Sequence, residues 1–241
     1  MCRHLAYVGP PVPLSDLLFE APHALARQAE CPRRQTSGTT NPDGWGVAWY
    51  VDGDATPDRY RTVTPIWDDR AFADRAHALC SSAFLAAARL ASPGASLVDT
   101  GNAPFVAGGW SFSLNGVVHG FRDGAGDALR ARVRADRLAS VVGDADTEVL
   151  FALVLQHLDD GTRPEDALAR VVREVLAMTT GRLNLLLTDG TAVYATRVGN
   201  SLVHRESVVV SEPTDDAPGW TDVPDHSLVT MTGHGTRTTA L

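Results

Sequence analysis

Cys2 is the residue in this chain best suited to do chemistry. Once the initiator Met1 is removed, a single residue carries both a thiol and an α-amino group. That amine titrates near ~7.7–8.0, close to neutral pH, so it can take the thiol proton. A terminal amine is one recognised means of activating a nucleophile. A side chain as small as that of Cys2 suits methionine removal. Taken alone, the position favours an incidental free or buried thiol at a chain start over a catalytic one.

Amide cleavage also needs donors for the developing oxyanion. Asn115-Gly116, within WSFSLNGVV, can supply them. The Asn amide and the Gly N–H can converge on one point, and glycine lets the backbone approach closely. The same pair between apolar runs is also the strongest short hairpin signal, and spacing alone favours that turn. A substrate with an amino-acid head needs a cation for its carboxylate and an anion for its ammonium. Arg89, at the end of FLAAARLAS, can form a two-pronged carboxylate clamp. An arginine on an apolar strand is costly unless paired, so its presence asks for a reason. Asp146, which opens DTEVLF, can take the ammonium, or it can be a helix N-cap.

These residues must be held by strands and helices. Strand-like runs are HLAYVG near residue 4, GWGVAWYV at 44–51, RYRTVT at 59–64 and FLAAARLA at 84–91. WSFSLNG, RLNLLLTD, TAVYATRV, SLVHRE, SVVVSE and SLVTMTG follow, many closed by Gly, Asp-Gly or Asn-Gly turn signals. Asp189-Gly190 marks the tip of a hairpin. Helical spacing is clear at 146–159 and at 164–178, where Pro164 and two acids make a good N-terminus. A third helix is expected around 126–141. Strands, then helices, then strands predict an α+β layered domain, not an alternating βαβ nucleotide-binding fold. One domain, residues 1–241, is expected.

Composition narrows the partners. The chain has 241 residues, a net charge of -8 and no lysine, so it has no basic stripe for nucleic acid. Its single isoleucine, Ile66, and its many Ala, Arg, Gly and Val residues reflect GC-rich coding. Cys2, Cys31 and Cys80 are too widely spaced for a disulfide framework or a CxxC metal site, which points to a reducing cytoplasm. The opening MCRHLAYVGPP lacks signal-peptide character, and the longest apolar stretches, such as that containing LFALVL at 150–155, are too short to span a bilayer. The eight His residues show no HxH or HExxH spacing, and no phosphate-binding fingerprint occurs. Neither a metal nor a cofactor is expected.

In order, MCRHLAYVG, NPDGWGVAWY at 41–50, RLAS at 89–92, APF at 103–105, LNG at 114–116 and DTEVL at 146–150 resemble class II glutamine amidotransferase domains, members of the N-terminal nucleophile hydrolases. SEPTDDAPGW at 211–220 resembles the stand-alone members. The resemblance implies a four-layer αββα sandwich of two stacked antiparallel sheets. It implies Cys2 as nucleophile and base, Arg89 as carboxylate clamp, Asn115 and Gly116 as oxyanion hole, and Asp146 as ammonium partner. Two departures stand out: Leu114 replaces a histidine common among relatives, and the segment before Pro104 is short, so no role is given to Asn102. With no synthase domain in 241 residues, a self-contained γ-glutamyl hydrolase is expected. The resemblance among stand-alone members is to those of ergothioneine biosynthesis. It implies release of glutamate from γ-glutamyl-hercynylcysteine sulfoxide through a thioester. The alternatives are a glutaminase subunit feeding ammonia to a separate synthase and a non-catalytic γ-glutamyl-binding protein. Trp45, Trp67, Trp110 and Tyr7 could face a trimethylammonium group, but as core residues they are assigned nothing.

Overall fold

The computed structural model describes residues 2–36, 38–92 and 94–241. The expected loss of Met1 therefore lies outside the described residues.

Among the described residues, thirteen strands form two sheets in which every pairing is antiparallel. The first sheet contains β1 (Arg3–Pro13), β2 (Trp45–Trp49), β3 (Asp58–Thr62), β4 (Cys80–Ala88), β9 (Val203–Arg205), β10 (Val208–Val210) and β11 (Thr221–Asp222), in the order β11-β9-β10-β1-β4-β2-β3. The second contains β5 (Phe105–Ala107), β6 (Trp110–Val118), β7 (Gly181–Thr188), β8 (Ala192–Arg197), β12 (Ser227–Thr232) and β13 (Gly235–Ala240), in the order β13-β12-β8-β7-β6-β5.

Side-chain alternation along the strands divides the apolar residues into three layers. Between the sheets lie Ala6, Val8, Ala83, Leu85, Leu186, Val193, Val209 and Met231. The opposite face of the first sheet, with Leu5, Tyr7, Trp45, Val47 and Phe84, packs on short helices α1 (Leu25–Glu30) and α2 (Arg70–Ala76). The outer face of the second sheet, with Phe112, Leu114, Val118 and Leu185, packs on α3 (Ala125–Arg130), α4 (Ala135–Leu138), α5 (Asp146–Asp159) and α6 (Pro164–Leu176). Helices thus cover both outer faces, giving the expected αββα order. α5 buries every residue from Val149 to Leu155, because the sheet and the other helices surround it. Trp45 and Tyr7 are core residues, as expected.

The expected strands and the Asp189-Gly190 hairpin tip are present, and α5 spans the expected residues. The single helix expected at 126–141 is instead two short ones. Arg134 is extended between them, and its N–H goes to the Gln156 side chain rather than to a helical carbonyl. Its guanidinium meanwhile binds Asp159 and Asp160 at the end of α5. Tertiary contacts override local helix propensity there.

Candidate active site

Strand register brings Cys2 and Arg89 together. β1 and β4 pair Arg3 with Ala88, so the register continued by one residue sets Cys2 opposite Arg89. The expected strand 84–91 in fact ends at Ala88, and Arg89 is the first residue beyond it. Its N–H still donates to the Gly44 carbonyl at 2.8 Å and its own carbonyl accepts from Asp43, which fixes its backbone. Alternation puts Cys2 on the same face as His4, toward the second sheet. Cys2 is half-buried and free, whereas Cys31 and Cys80 are exposed.

Arg89 is half-buried and makes no ion pair among the described residues. Its Nη1 donates to the Ser96 carbonyl and, at 3.5 Å, to Asn102 Oδ1. Asn102, left without a role by the sequence, is fully buried and donates from Nδ2 to the Thr62 carbonyl. Gly44, at φ +103°, makes room for it: a Cβ there would overlap Asn102 Nδ2 and the Thr62 carbonyl oxygen. NPDGWG and the residue before APF therefore act together to aim one guanidinium. The Nε/Nη2 edge of that guanidinium has no partner among the described residues, so one prong of its fork is open to a carboxylate.

Asn115 and Gly116 are not a turn. They sit inside β6, where Asn115 pairs with Asn184 and Gly116 with Leu183. The turn signal is overridden because the strand continues to Val118 along β7. A Cβ on Gly116 would overlap the Arg182 carbonyl oxygen, so the backbone position requires glycine. Asn115 is fully buried, and its amide donates from Nδ2 to Ser211 Oγ at 3.2 Å. An amide nitrogen carries two N–H groups, and Ser211 uses one.

Asp146 is the first residue of α5, with Ala145 at the N-cap position, so the N-cap alternative is not realised. Its Oδ2 accepts the Val118 N–H at 3.0 Å, which ties the end of β6 to the start of α5. Its Oδ1 accepts the N–H and hydroxyl of Thr147. Burial pushes this carboxyl above the ordinary Asp range, opposed by those hydrogen bonds. Like Arg89, it has no charged partner among the described residues.

Cys2, Arg89, Leu114, Gly116 and Asp146 line one cavity of about 290 Å³. Asn115 is not among the residues that line it; its side-chain amide is buried beside Gly116, against Ser211 and Asn200. None of Trp45, Trp67, Trp110 and Tyr7 lines the cavity.

Below the cavity the N-terminal segment is held by polar contacts. Arg3, fully buried, donates to Gln35 from Nε and Nη2 and lies 3.4 Å from Glu212. Burial lowers the Arg3 pKa; Glu212 and Cys2 oppose the shift. Glu212 also accepts the N–H groups of Arg33 and Arg34. His4, fully buried beside Ser113, has its pKa pulled down to about 3 by burial and then by Arg3. It is therefore neutral at neutral pH and a weak base. Asn102 was given no role from sequence, and Ser211 and Asn200 were not identified there; the 211–220 motif was the one signal that touched either of the latter.

The model for "Glutamine amidotransferases class-II" matches residues 17–213. The gamma-glutamyl-hercynylcysteine sulfoxide hydrolase of Mycolicibacterium smegmatis (strain ATCC 700084 / mc(2)155) is 38% identical, over 95% of this chain and 95% of that protein. Its namesake in Mycobacterium tuberculosis (strain ATCC 25618 / H37Rv) is 39% identical, over 100% and 97%. Among solved structures, a glutamine aminotransferase class-II domain protein from silicibacter pomeroyi superposes with a TM-score of 0.69 at 28% identity, over 99% of each chain. The glutamine phosphoribosylpyrophosphate amidotransferase of B. subtilis shares the fold alone: TM-score 0.66, 15% identity, over 100% of this chain and 49% of that one. On the family match and the full-length relatives, this chain belongs to the class II glutamine amidotransferases.

Proposed function

We propose that this chain, acting as one domain over residues 1–241 in the cytoplasm, hydrolyses the γ-glutamyl amide of γ-glutamyl-hercynylcysteine sulfoxide to glutamate and hercynylcysteine sulfoxide. The observation that carries the reading is the shared cavity. A potential nucleophile, and a guanidinium and a carboxylate that have no charged partner among the described residues, line it together with Gly116. An α-amino acid head carries the complementary pair of charges. The leaving group is inferred from the full-length relatives, whose names give that substrate.

In the proposed reaction the Cys2 α-amine, freed by loss of Met1, takes the thiol proton. The thiolate adds to the γ-carbonyl carbon, and the negative oxygen is met by the Asn115 amide and the Gly116 N–H. Collapse breaks the C–N bond, and the α-ammonium returns its proton to the departing amine. Water then adds to the thioester, the C–S bond breaks, and glutamate leaves with the thiol restored. Throughout, Arg89 holds the α-carboxylate and Asp146 the α-ammonium.

Steady-state kinetics on the sulfoxide and on glutamine test this. Cys2→Ala abolishes turnover, while Cys31→Ala and Cys80→Ala leave it unchanged. Asn115→Ala lowers kcat by roughly 10²–10³ with little change in KM. Normal turnover in Cys2→Ala removes the nucleophile. Faster turnover of glutamine replaces the reading with an ammonia-supplying glutaminase.

A further inference from the structure

We infer that Ser211 and Asn200 are positioning residues that fix which way the Asn115 amide faces. The inference rests on the proposed oxyanion role of Asn115 and extends it to two residues that do not touch the cavity. Both are buried, and so is Asn115.

The orientation follows from donors and acceptors alone. Asn200 Nδ2 donates to the backbone carbonyl of Asn115 at 2.8 Å. A backbone carbonyl can only accept, so that end of the Asn200 side chain must be its NH₂ group. The same Nδ2 donates to Asn115 Oδ1 at 3.2 Å. The Asn115 oxygen is thereby fixed on the Asn200 side, and its NH₂ group must face Ser211. A flipped Asn115 amide would set two NH₂ groups against each other in a buried site, a costly arrangement.

Ser211 completes the lock. Its hydroxyl accepts from Asn115 Nδ2 and from the His4 N–H at 3.0 Å, and it donates to the His4 carbonyl at 3.2 Å. One donor and two acceptor sites are all a hydroxyl has, so it is fully used. The Ser211 N–H also donates to the His4 carbonyl. Ser211 thus binds both backbone groups of His4, two residues from the nucleophile, and the amide that would meet the oxyanion. It spans the gap between β1 of one sheet and β6 of the other. Asn200 is itself held, since Asn184 Nδ2 donates to the carbonyls of Asn200 and Ser201.

A double-mutant cycle separates positioning from general structural support. Ser211→Ala and Asn200→Asp are made in the wild-type chain and in Asn115→Ala. Asn200→Asp replaces the donor with an acceptor against two oxygens, so it releases or flips the Asn115 amide. In the wild-type background each lowers kcat on the order of tenfold or more with KM nearly unchanged, a smaller loss than removal of the amide itself. In the Asn115→Ala background neither lowers kcat further, because the group they orient is gone. Thermal melting in both backgrounds shows that all variants fold, and the two substitutions provide independent readings if one does not. Equal fold-losses in both backgrounds, or losses confined to KM, overturn the positioning role. If Asn115→Ala itself leaves kcat intact, the oxyanion reading fails instead, so the two failures are distinct.

Discussion

Arg89 and Asp146 are a cation and an anion on one cavity wall, and among the described residues neither has a charged partner. A half-buried charge without a counter-charge is costly, so a site that keeps two is suited to a ligand that carries the opposite pair. Asp146 is the more sensitive of the two, because burial raises its pKa. The ammonium needs it ionised. Affinity is therefore complete above the raised pKa and is lost as pH falls through it, at a higher pH than for an ordinary aspartate near ~3.9. KM measured against pH should rise on the acid side in the wild type, and Asp146→Asn should raise KM strongly and flatten that limb. Arg89→Lys should also raise KM, with no rescue, since an ammonium lacks the planar fork. A wild-type KM in either variant removes that residue from the clamp.

At the level of elements, the strand register does the positioning, and much of it can be read in advance. The strand-like run HLAYVG, the runs at 44–51 and 110–116 and the helix opened by Asp146 were all legible from residue type and spacing, although the strands proper are Trp45–Trp49 and Trp110–Val118. Two things were not. Asn115-Gly116 reads locally as a turn because nothing in the pair reveals that β7 lies alongside it. Asn102 is invisible because its partners, Thr62 and Arg89, are distant in sequence and meet only through the loop after β4. The Gly116 position tests the strand assignment. A turn tip facing solvent tolerates alanine; a strand glycine pressed on the Arg182 carbonyl does not. Gly116→Ala should cost roughly 1–3 kcal/mol of stability, typical of overpacking, and should lower kcat by displacing the N–H. Urea denaturation and kinetics on the same sample check both. An unchanged midpoint and rate reject this geometry.

At the scale of the whole molecule, the two sheets meet through an apolar layer that gives way to polar groups near the cavity. His4 lies at that boundary and stays neutral because charging it there is unfavourable. Its pKa is about 6.5 in the unfolded chain and about 3 in the folded one. Between those values the unfolded state binds the extra proton, so stability rises with pH. The His4 contribution is intact above pH about 6.5 and is lost as pH falls toward 3, by about 1 kcal/mol per pH unit in between. Denaturant midpoints of wild type and His4→Gln should converge, or cross, as pH falls through that window. Parallel curves remove His4 from the acid response.

The half-exposed Cys2 on the cavity wall has a consequence for chemical labelling. With no lysine in the sequence, the only primary amine of this chain is its terminal one. When Met1 is gone, that amine and the Cys2 thiol form a 1,2-aminothiol, which condenses with an aldehyde to a five-membered thiazolidine ring. Neither Cys31 nor Cys80 can do this, and neither can Cys2 while Met1 is in place. A small aldehyde should therefore add once, at the nucleophile, with loss of one water and of all activity. The same mass increment would count the processed molecules in a preparation, and the active fraction should equal that count.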